Sequence, residues 1–411
     1  MTATTHETEA RPHVSAGWMT RFGLLYLGQN VAWAGPSALL VANQVAGWYP
    51  ESKETRLAVV MALGGVISMV ATPLAGAVSD RTRSRFGRRA PWILLGALGA
   101  AVSLVVLGFA PDYAVLVAGW LAFQATIAFT INAAQAVPPD TVPRLQYGVV
   151  SGVMGLTYTL AIVVGTAIAT AFGGRTAYLV CALVLLVLVA QFLVAFRDPP
   201  VTERRVRDSA TAGSGRAALV PSPREHPDFA WVFVTRLLVT LGNTIALFYL
   251  LYFLRDRVKV ADPDAGVLTL TVVYAVAVVI TAVVGGRWSD RVDRRRIFVA
   301  GSSLGVAVAA GIMAFTLSWS VVVVAALVLG ASWGVYMAVD QALINEVLPS
   351  ASDRGRDIGL MNLAVVGPNA LAPVIAALAL NSLGGYTGLY LLSGGLSLLG
   401  AVLVFRVRSV R

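Results

Sequence analysis

"GAVSDRTRSRFGRRAPW", Gly76 to Trp92, places five arginines and one aspartate between two long apolar runs. "GRWSDRVDRRR", Gly286 to Arg296, does the same much later in the chain. Both contain G-x-x-S-D-R: Gly76, Ser79, Asp80 and Arg81, then Gly286, Ser289, Asp290 and Arg291. "DTVPRLQYGVVSG" (Asp140 to Gly152) and "EVLPSASDRGRDIG" (Glu346 to Gly359) form a second matched pair, and Arg21 and Arg236 a third. Several matches in one order imply a chain built of two structurally repeated halves.

The surrounding composition says what those halves are made of. The 411 residues are 57% hydrophobic and 13% charged. That charged fraction is about half of what a soluble domain carries. Apolar runs long enough to cross a bilayer of about 30 Å recur from end to end. Twelve are expected, near 17–46, 55–79, 90–110, 112–137, 149–172, 175–196, 229–254, 266–287, 297–316, 319–346, 357–380 and 385–405. The expected fold is therefore all-α and integral to the membrane, with twelve transmembrane helices in two pseudo-symmetric six-helix halves. A polar tail (1–16) precedes the N-terminal half (17–196). A linker (197–228) rich in Pro, Ser, Gly and charge joins it to the C-terminal half (229–405), and a short tail (406–411) follows.

The net charge of +10 reports topology and not a nucleic-acid partner. With both termini cytoplasmic, most of the 31 lysines and arginines fall on cytoplasmic segments. The exceptions are Lys53, Arg56, Arg175, Arg255, Arg257, Lys259 and, just inside the seventh span, Arg236. That is the expected excess of positive charge inside, and it predicts a multi-pass protein of the cell (inner) membrane. The opening polar stretch lacks a signal-peptide pattern. The lone Cys181 lies within an apolar run, and His6, His13 and His226 lie in tail or linker, so no metal site and no histidine relay are expected.

The charged loop resembles the signature of the major facilitator superfamily, G-x-x-x-D-R-x-G-R-R. Here it is carried by Gly76, Asp80, Arg81, Gly87, Arg88 and Arg89, with four extra residues in the middle. The longer form "SDRTRSRFGRRAPW", together with "NAAQAVPPDTVP" and "LMNLAVVGPNALAP", is similar to the glycoside–pentoside–hexuronide and plant sucrose transporters. The resemblance implies alternating access of a functional monomer to a small-molecule substrate, with the lipid bilayer as its surroundings and no cofactor. It also suggests a cytoplasmic gate of Gly76, Asp80, Arg81, Arg88, Arg89, Asp140, Gly286, Asp290, Arg291 and Glu346. In that gate, Asp80 and Asp290 accept hydrogen bonds at the positive ends of facing helices and the arginines pair with Asp140 and Glu346.

Among the acids, only Asp340 lies well inside a span, about two turns from its end. Two readings stand: a proton carrier, or a buried acid held by hydrogen bonds and a cytoplasmic arginine. Arg236 reads as a snorkelling or interhelical residue. The chain lacks the acids of the second span that melibiose-type symporters use for their cation. It also lacks the acid and arginine of the fourth and fifth spans found in sucrose transporters.

Neutral polar groups predict the substrate site. Gln29, Asn30, Trp33, Gln124 and Tyr158 lie near the middle of first-half spans, and Asn243, Tyr274, Trp333, Tyr336 and Asn369 near the middle of second-half spans. Amides and phenols hydrogen-bond hydroxyls, and Trp and Tyr faces stack on sugar rings. The alternative for each is interhelical packing. Gly35–Pro36, Pro368 and Pro373 are candidate hinges or packing kinks. The leading expectation is a transporter, secondary active or facilitative, of a neutral sugar or glycoside, coupled to protons if Asp340 carries them. The rivals are a proton-coupled exporter of drugs or natural products and a non-transporting membrane receptor. An enzyme is not expected, since there is no nucleotide loop, metal cluster or nucleophile–base set.

Overall fold

An apolar run in hydrocarbon has no water to satisfy its backbone, so each run closes its hydrogen bonds within itself as a helix. The computed structural model describes residues 13–196, 198, 226–292, 294–347 and 354–407. Side chains are described at all of these except Arg144, Asp290, Ala342, Asn345, Glu346 and residues 354–359.

The helices are α1 (Ala16–Gly35), α2 (Val41–Trp48), α3 (Lys53–Arg81), α4 (Ala90–Gly108), α5 (Tyr113–Thr141), α6 (Tyr147–Phe172) and α7 (Gly174–Ala195). They continue as α8 (Pro227–Phe248), α9 (Leu250–Tyr252), α10 (Pro263–Val292), α11 (Arg295–Phe315), α12 (Trp319–Val347), α13 (Arg354–Ser382) and α14 (Tyr386–Leu403). Among the described residues, 11 helices are long and apolar enough to cross a membrane. The remaining expected span, the first, is α1 and α2 joined through a π-helical turn, Pro36–Leu40. Pro36 brings no N–H to the ladder, and the turn sits where the Gly-Pro pair predicted a break. Pro73, Pro138, Pro139, Pro368 and Pro373 lie inside helices that continue past them.

One span differs in detail. The run expected as 229–254 is helical to Phe248, breaks at Tyr249 and resumes as α9 and a π-helical turn, Phe253–Val258. That turn ends at Lys259, the one non-glycine residue with positive φ among those described (φ 58).

Contacts divide the chain into two compact units, Met1–Pro36 with Val70–Arg204, and Ser37–Met69 with Arg205–Arg411. Residues 37–69 thus group with the second unit, whereas sequence halves alone assign them to the first. In the first unit, α1 packs on α6 and α7, and α4 packs on α5 and α7. In the second, α8 packs on α13 and α14, and α11 packs on α12 and α14. These four packings correspond pair for pair, so the repeat read from the loops is also one of structure; in the second unit α10 packs on α12 as well.

Small residues make these packings close. A Cβ on Gly35 would lie 2.7 Å from the carbonyl oxygen of Gly165, and one on Gly165 would lie 2.8 Å from the amide nitrogen of Gly35. Helices α1 and α6 therefore meet backbone to backbone, as membrane helices do where glycine permits.

Candidate functional site

The first unit holds its charge in the loop between α3 and α4. The Arg89 guanidinium contacts the carboxylates of Asp80 at 2.8 Å and Asp140 at 2.9 Å, and donates to the Ser79 hydroxyl at 2.8 Å. Arg88 adds a contact to Asp140 at 2.8 Å. The expected pairing of loop arginines with Asp140 is thus made by Arg88 and Arg89, while Arg81 is exposed. Asp80 bonds to its own loop through Arg89. The motif glycine Gly76 has open space around it.

Asp198, at the head of the linker, completes this cluster and was not anticipated. Its carboxylate accepts the backbone N–H groups of Arg89 and Ala90, the first free donors of α4. Gly87 has φ 87, and a Cβ there would collide with the Asp198 side chain. The loop glycine is therefore required twice, by its backbone conformation and by its neighbour.

The repeat of this loop in the second unit is only partly described. Gly286 lies 3.5 Å, through the position of a Cβ, from the Ala338 side chain. Arg291 is exposed, and the side chains of Asp290 and Glu346 lie outside the described residues.

Inside the first unit, Gln29 is fully buried, and neither its amide nitrogen nor its oxygen has a hydrogen-bond partner among the described residues. Asn30 donates to the Tyr26 carbonyl at 2.6 Å, and Gln135 donates to the Tyr26 hydroxyl at 3.3 Å. Tyr158 lies close enough to Tyr26 for the two phenols to interact electrostatically. Trp33 is half-buried. Gln124 is buried, but it stands roughly 16 Å along α5 from Gln135, at 1.5 Å per residue.

Inside the second unit, Asp340 is 5% exposed and its carboxylate lies 2.8 Å from Arg236 Nη1. Tyr336 donates to the same carboxylate at 3.2 Å, stacks on Trp333 with centroids 5.3 Å apart, and lies within hydrogen-bonding reach of Thr240. The arginine of the pair is therefore Arg236, well inside α8, and not a loop arginine. The contact is one of charge: Nε and Nη1 of Arg236 lack an aligned hydrogen-bond acceptor among the described residues. Asn243, a further two turns along α8, is buried with its amide oxygen unpartnered among those residues. Tyr274 is half-buried, with its backbone against Gly330. Asn369 is exposed and, among the described residues, reaches only its own helix, at the Val365 carbonyl.

A further polar network of the second unit joins the α2–α3 segment to the region between α8 and α10. Lys53 pairs with Asp256 at 2.8 Å, and Tyr386 donates to the other oxygen of Asp256 at 2.9 Å. Asn43 accepts from Arg255 at 2.6 Å and donates to both oxygens of Asp264 at 3.0 Å. Tyr249 and Tyr252 donate to the backbone carbonyls of Glu54 and Ala42. The π-helical turn carries both Arg255 and Asp256. The signal available in the sequence was the crowding of Arg255, Asp256, Arg257 and Lys259 next to a span.

A chain of two six-helix repeats, with uncharged polar groups and, among the described residues, one neutralised ion pair inside its spans, is built as a polytopic membrane transporter. It belongs to the Major Facilitator Superfamily, whose family model matches residues 22–268 and 232–411. Curated relatives match short stretches. Sucrose transport protein SUC4 of Arabidopsis thaliana is 30% identical over 102 residues, 25% of this chain and 19% of that protein. The general alpha-glucoside permease of Schizosaccharomyces pombe is 43% identical over 49 residues, 12% of this chain and 9% of that one. Solute carrier family 45 member 3 of Mus musculus is 37% identical over 70 residues, 17% and 11% of the two chains. The match thus spans less than a fifth of each relative's length. Among solved structures, a POT family transporter in complex with 5-aminolevulinic acid superposes with a TM-score of 0.76 at 10% identity, over 94% of this chain and 95% of that one. The nucleoside transporter NupG superposes with a TM-score of 0.76 at 12% identity, over 95% and 99%. At such identities the likeness is one of fold.

Proposed function

We propose that this transporter moves a small neutral polar solute, a sugar or glycoside, by alternating access. One observation carries the reading. Among the described residues, the charged side chains buried within the spans are Arg236 and Asp340, and they neutralise each other. A charged solute needs an unpaired counter-charge, because an isolated ion in so dry a setting is costly. The buried amides of the spans, Gln29, Asn30, Gln124 and Asn243, are uncharged and suit hydroxyls. The short matches to a sucrose transport protein and a glucoside permease support the same substrate class.

The distribution of arginine supports placement in the cell membrane with both termini cytoplasmic, and membership of the superfamily supports a functional monomer. The loop cluster of Arg88, Arg89, Asp80 and Asp140 then lies at the cytoplasmic end, where it serves as part of a gate. Proton coupling, where used, runs through Asp340. The test is uptake of labelled sugars and glycosides into proteoliposomes that contain a pH-sensitive dye. Sugar entry with internal acidification, lost in the Arg236→Leu/Asp340→Leu double variant, gives proton symport. Sugar entry without acidification gives a facilitator, with the ion pair as a structural tie. Entry of charged solutes only would refute the proposal.

A further inference from the structure

Helix α6 has two exposed faces of opposite character. Val149, Leu156 and Leu160 form an apolar one, as lipid demands. Gly148, Ser151, Gly152, Gly155 and Tyr158 lie about a sixth to a half of a turn away, by the 3.6-residue period, and form the other. A Cβ on Gly148, Gly152 or Gly155 would meet nothing within 4 Å, so this second face borders open space. Tyr158, 44% exposed, stands at its end with no hydrogen-bond partner for its hydroxyl among the described residues.

Gln135 is exposed on α5. One of its amide hydrogens goes to the Tyr26 hydroxyl at 3.3 Å, and Tyr26 in turn lies within electrostatic reach of Tyr158. Asn132 stands one turn from Gln135 on the same face. Exposed amides and phenols within a span do not face hydrocarbon; they line water or contact solute. Tyr26 and Tyr158 stand about 15 and 16 Å from the starts of their helices, and Gln135 about 9 Å from the end of its own, at 1.5 Å per residue.

The sequence marks the same glutamine a second time. "QAVPPDTVP" (Gln135 to Pro143) and "QALINEVLP" (Gln341 to Pro349) share Q-A-x-x-x-acid-x-Val/Leu-Pro at equivalent places of the two repeats. Gln341 is likewise exposed on its helix. Charge pairing accounts for the acid of this pattern, as Asp140 shows, but it does not account for the glutamine.

We propose that Gln135 and Tyr158 are solute contacts of the first unit, held in place by Tyr26, and that they bind a neutral polyhydroxylated solute through adjacent hydroxyls. A primary amide presents a donor and an acceptor side by side, the complement of two neighbouring hydroxyls. Tyr26 takes one amide hydrogen of Gln135 and thereby fixes its plane; it is a positioning residue. Tyr158 offers a hydroxyl and a ring edge beside it. The glycine face of α6 is the approach. This rests on the neutral-solute reading above and adds Gln135 and Tyr26, which the inspection of span midpoints did not single out, to Tyr158, which it did.

The test uses the full chain in proteoliposomes with a membrane-impermeant thiol reagent on both faces. The native Cys181 is fully buried, so the background is low. Gln135→Cys and Tyr158→Cys are compared with Leu156→Cys, on the apolar face of α6. The expected result is modification at least about tenfold faster at 135 and 158 than at 156, slowed by a sugar that the wild type transports. In parallel, Gln135→Ala raises the KM for that sugar roughly five- to tenfold, the loss of one neutral hydrogen bond, with kcat much less affected. Tyr26→Phe gives a smaller rise of the same kind, and Gln135→Asn restores part of the loss. Reactivity at 135 and 158 no greater than at 156 overturns the proposal. Reactivity without protection by any transported sugar overturns the solute contact while leaving the open face. A wild type that transports no neutral solute overturns the function, and this assignment with it.

Discussion

Replacing Arg236 by leucine leaves the carboxylate of Asp340 buried without its counter-charge. The side chains of the pair are 10% and 7% exposed, so solvent does little to screen the loss. Breaking one partner of such a pair costs about 3–5 kcal/mol, whereas replacing both by apolar groups of similar volume is close to neutral. At roughly 2–4 °C per kcal/mol for a unit of this size, Arg236→Leu lowers the unfolding midpoint by about 6–20 °C. The double variant Arg236→Leu/Asp340→Leu recovers most of that loss. The assay is thermal unfolding of detergent-purified protein followed by tryptophan fluorescence, run on wild type, both single variants and the double. The four midpoints close a cycle, and the coupling expected, the two single losses together less that of the double variant, is about 5 kcal/mol or more. Additive losses, with the double variant less stable than either single one, would refute the view that these residues hold each other.

Four further outcomes follow from the geometry. Tyr336→Phe removes one hydrogen bond to Asp340 and lowers stability by about 1 kcal/mol in the same unfolding assay. Gly87→Ala forces a side chain into a positive-φ site against Asp198 and costs about 1–3 kcal/mol; Asp198→Ala alone costs about 1 kcal/mol as the loss of a cap, and the double variant costs less than the sum. Asp256→Asn weakens a partly exposed pair with Lys53, so stability falls by no more than about 1 kcal/mol and the difference shrinks in high salt, measured as midpoints at two ionic strengths. Gly165→Leu cannot be accommodated against the backbone of Gly35, and the expected result is loss of monodisperse protein on size-exclusion chromatography.

The spans and the repeat were legible because hydrocarbon acts on single residues: a run either carries charge or it does not. The Gly35–Pro36 interruption was legible for a similar reason, since proline changes the ladder wherever it stands. The pairing of Arg88 and Arg89 with Asp140 was suggested by the resemblance of the charged loop to the superfamily signature. Which way a helix faces was not legible. Lipid is as apolar as the protein interior, so a membrane helix shows no polar side by which to orient it. Asn369 and Gln124 were chosen for depth; the first donates to the Val365 carbonyl of its own helix, and the second lies far along α5 from the Tyr26 cluster. Arg236 was visible as a charge inside a span, but its partner Asp340 lies far along the chain, and only the packing of α8 on α12 brings the two together. Asp198 was hidden for another reason: an acid in a charged linker looks like solvated charge until its carboxylate is found on the first amides of α4. The network around Asn43 and Arg255 depends on a π-helical turn that no spacing pattern announces.

The most direct test of the central claim is solute counterflow. Proteoliposomes holding the wild-type protein are loaded with an unlabelled neutral glycoside and diluted into a trace of the same compound labelled. Exchange needs no ion gradient, so the result is independent of coupling. A transient accumulation of label that decays with time, seen with neutral sugars or glycosides and absent with a nucleoside monophosphate, a dipeptide or an organic cation, is the result predicted. Accumulation with a charged solute and none with any neutral sugar or glycoside would contradict the account.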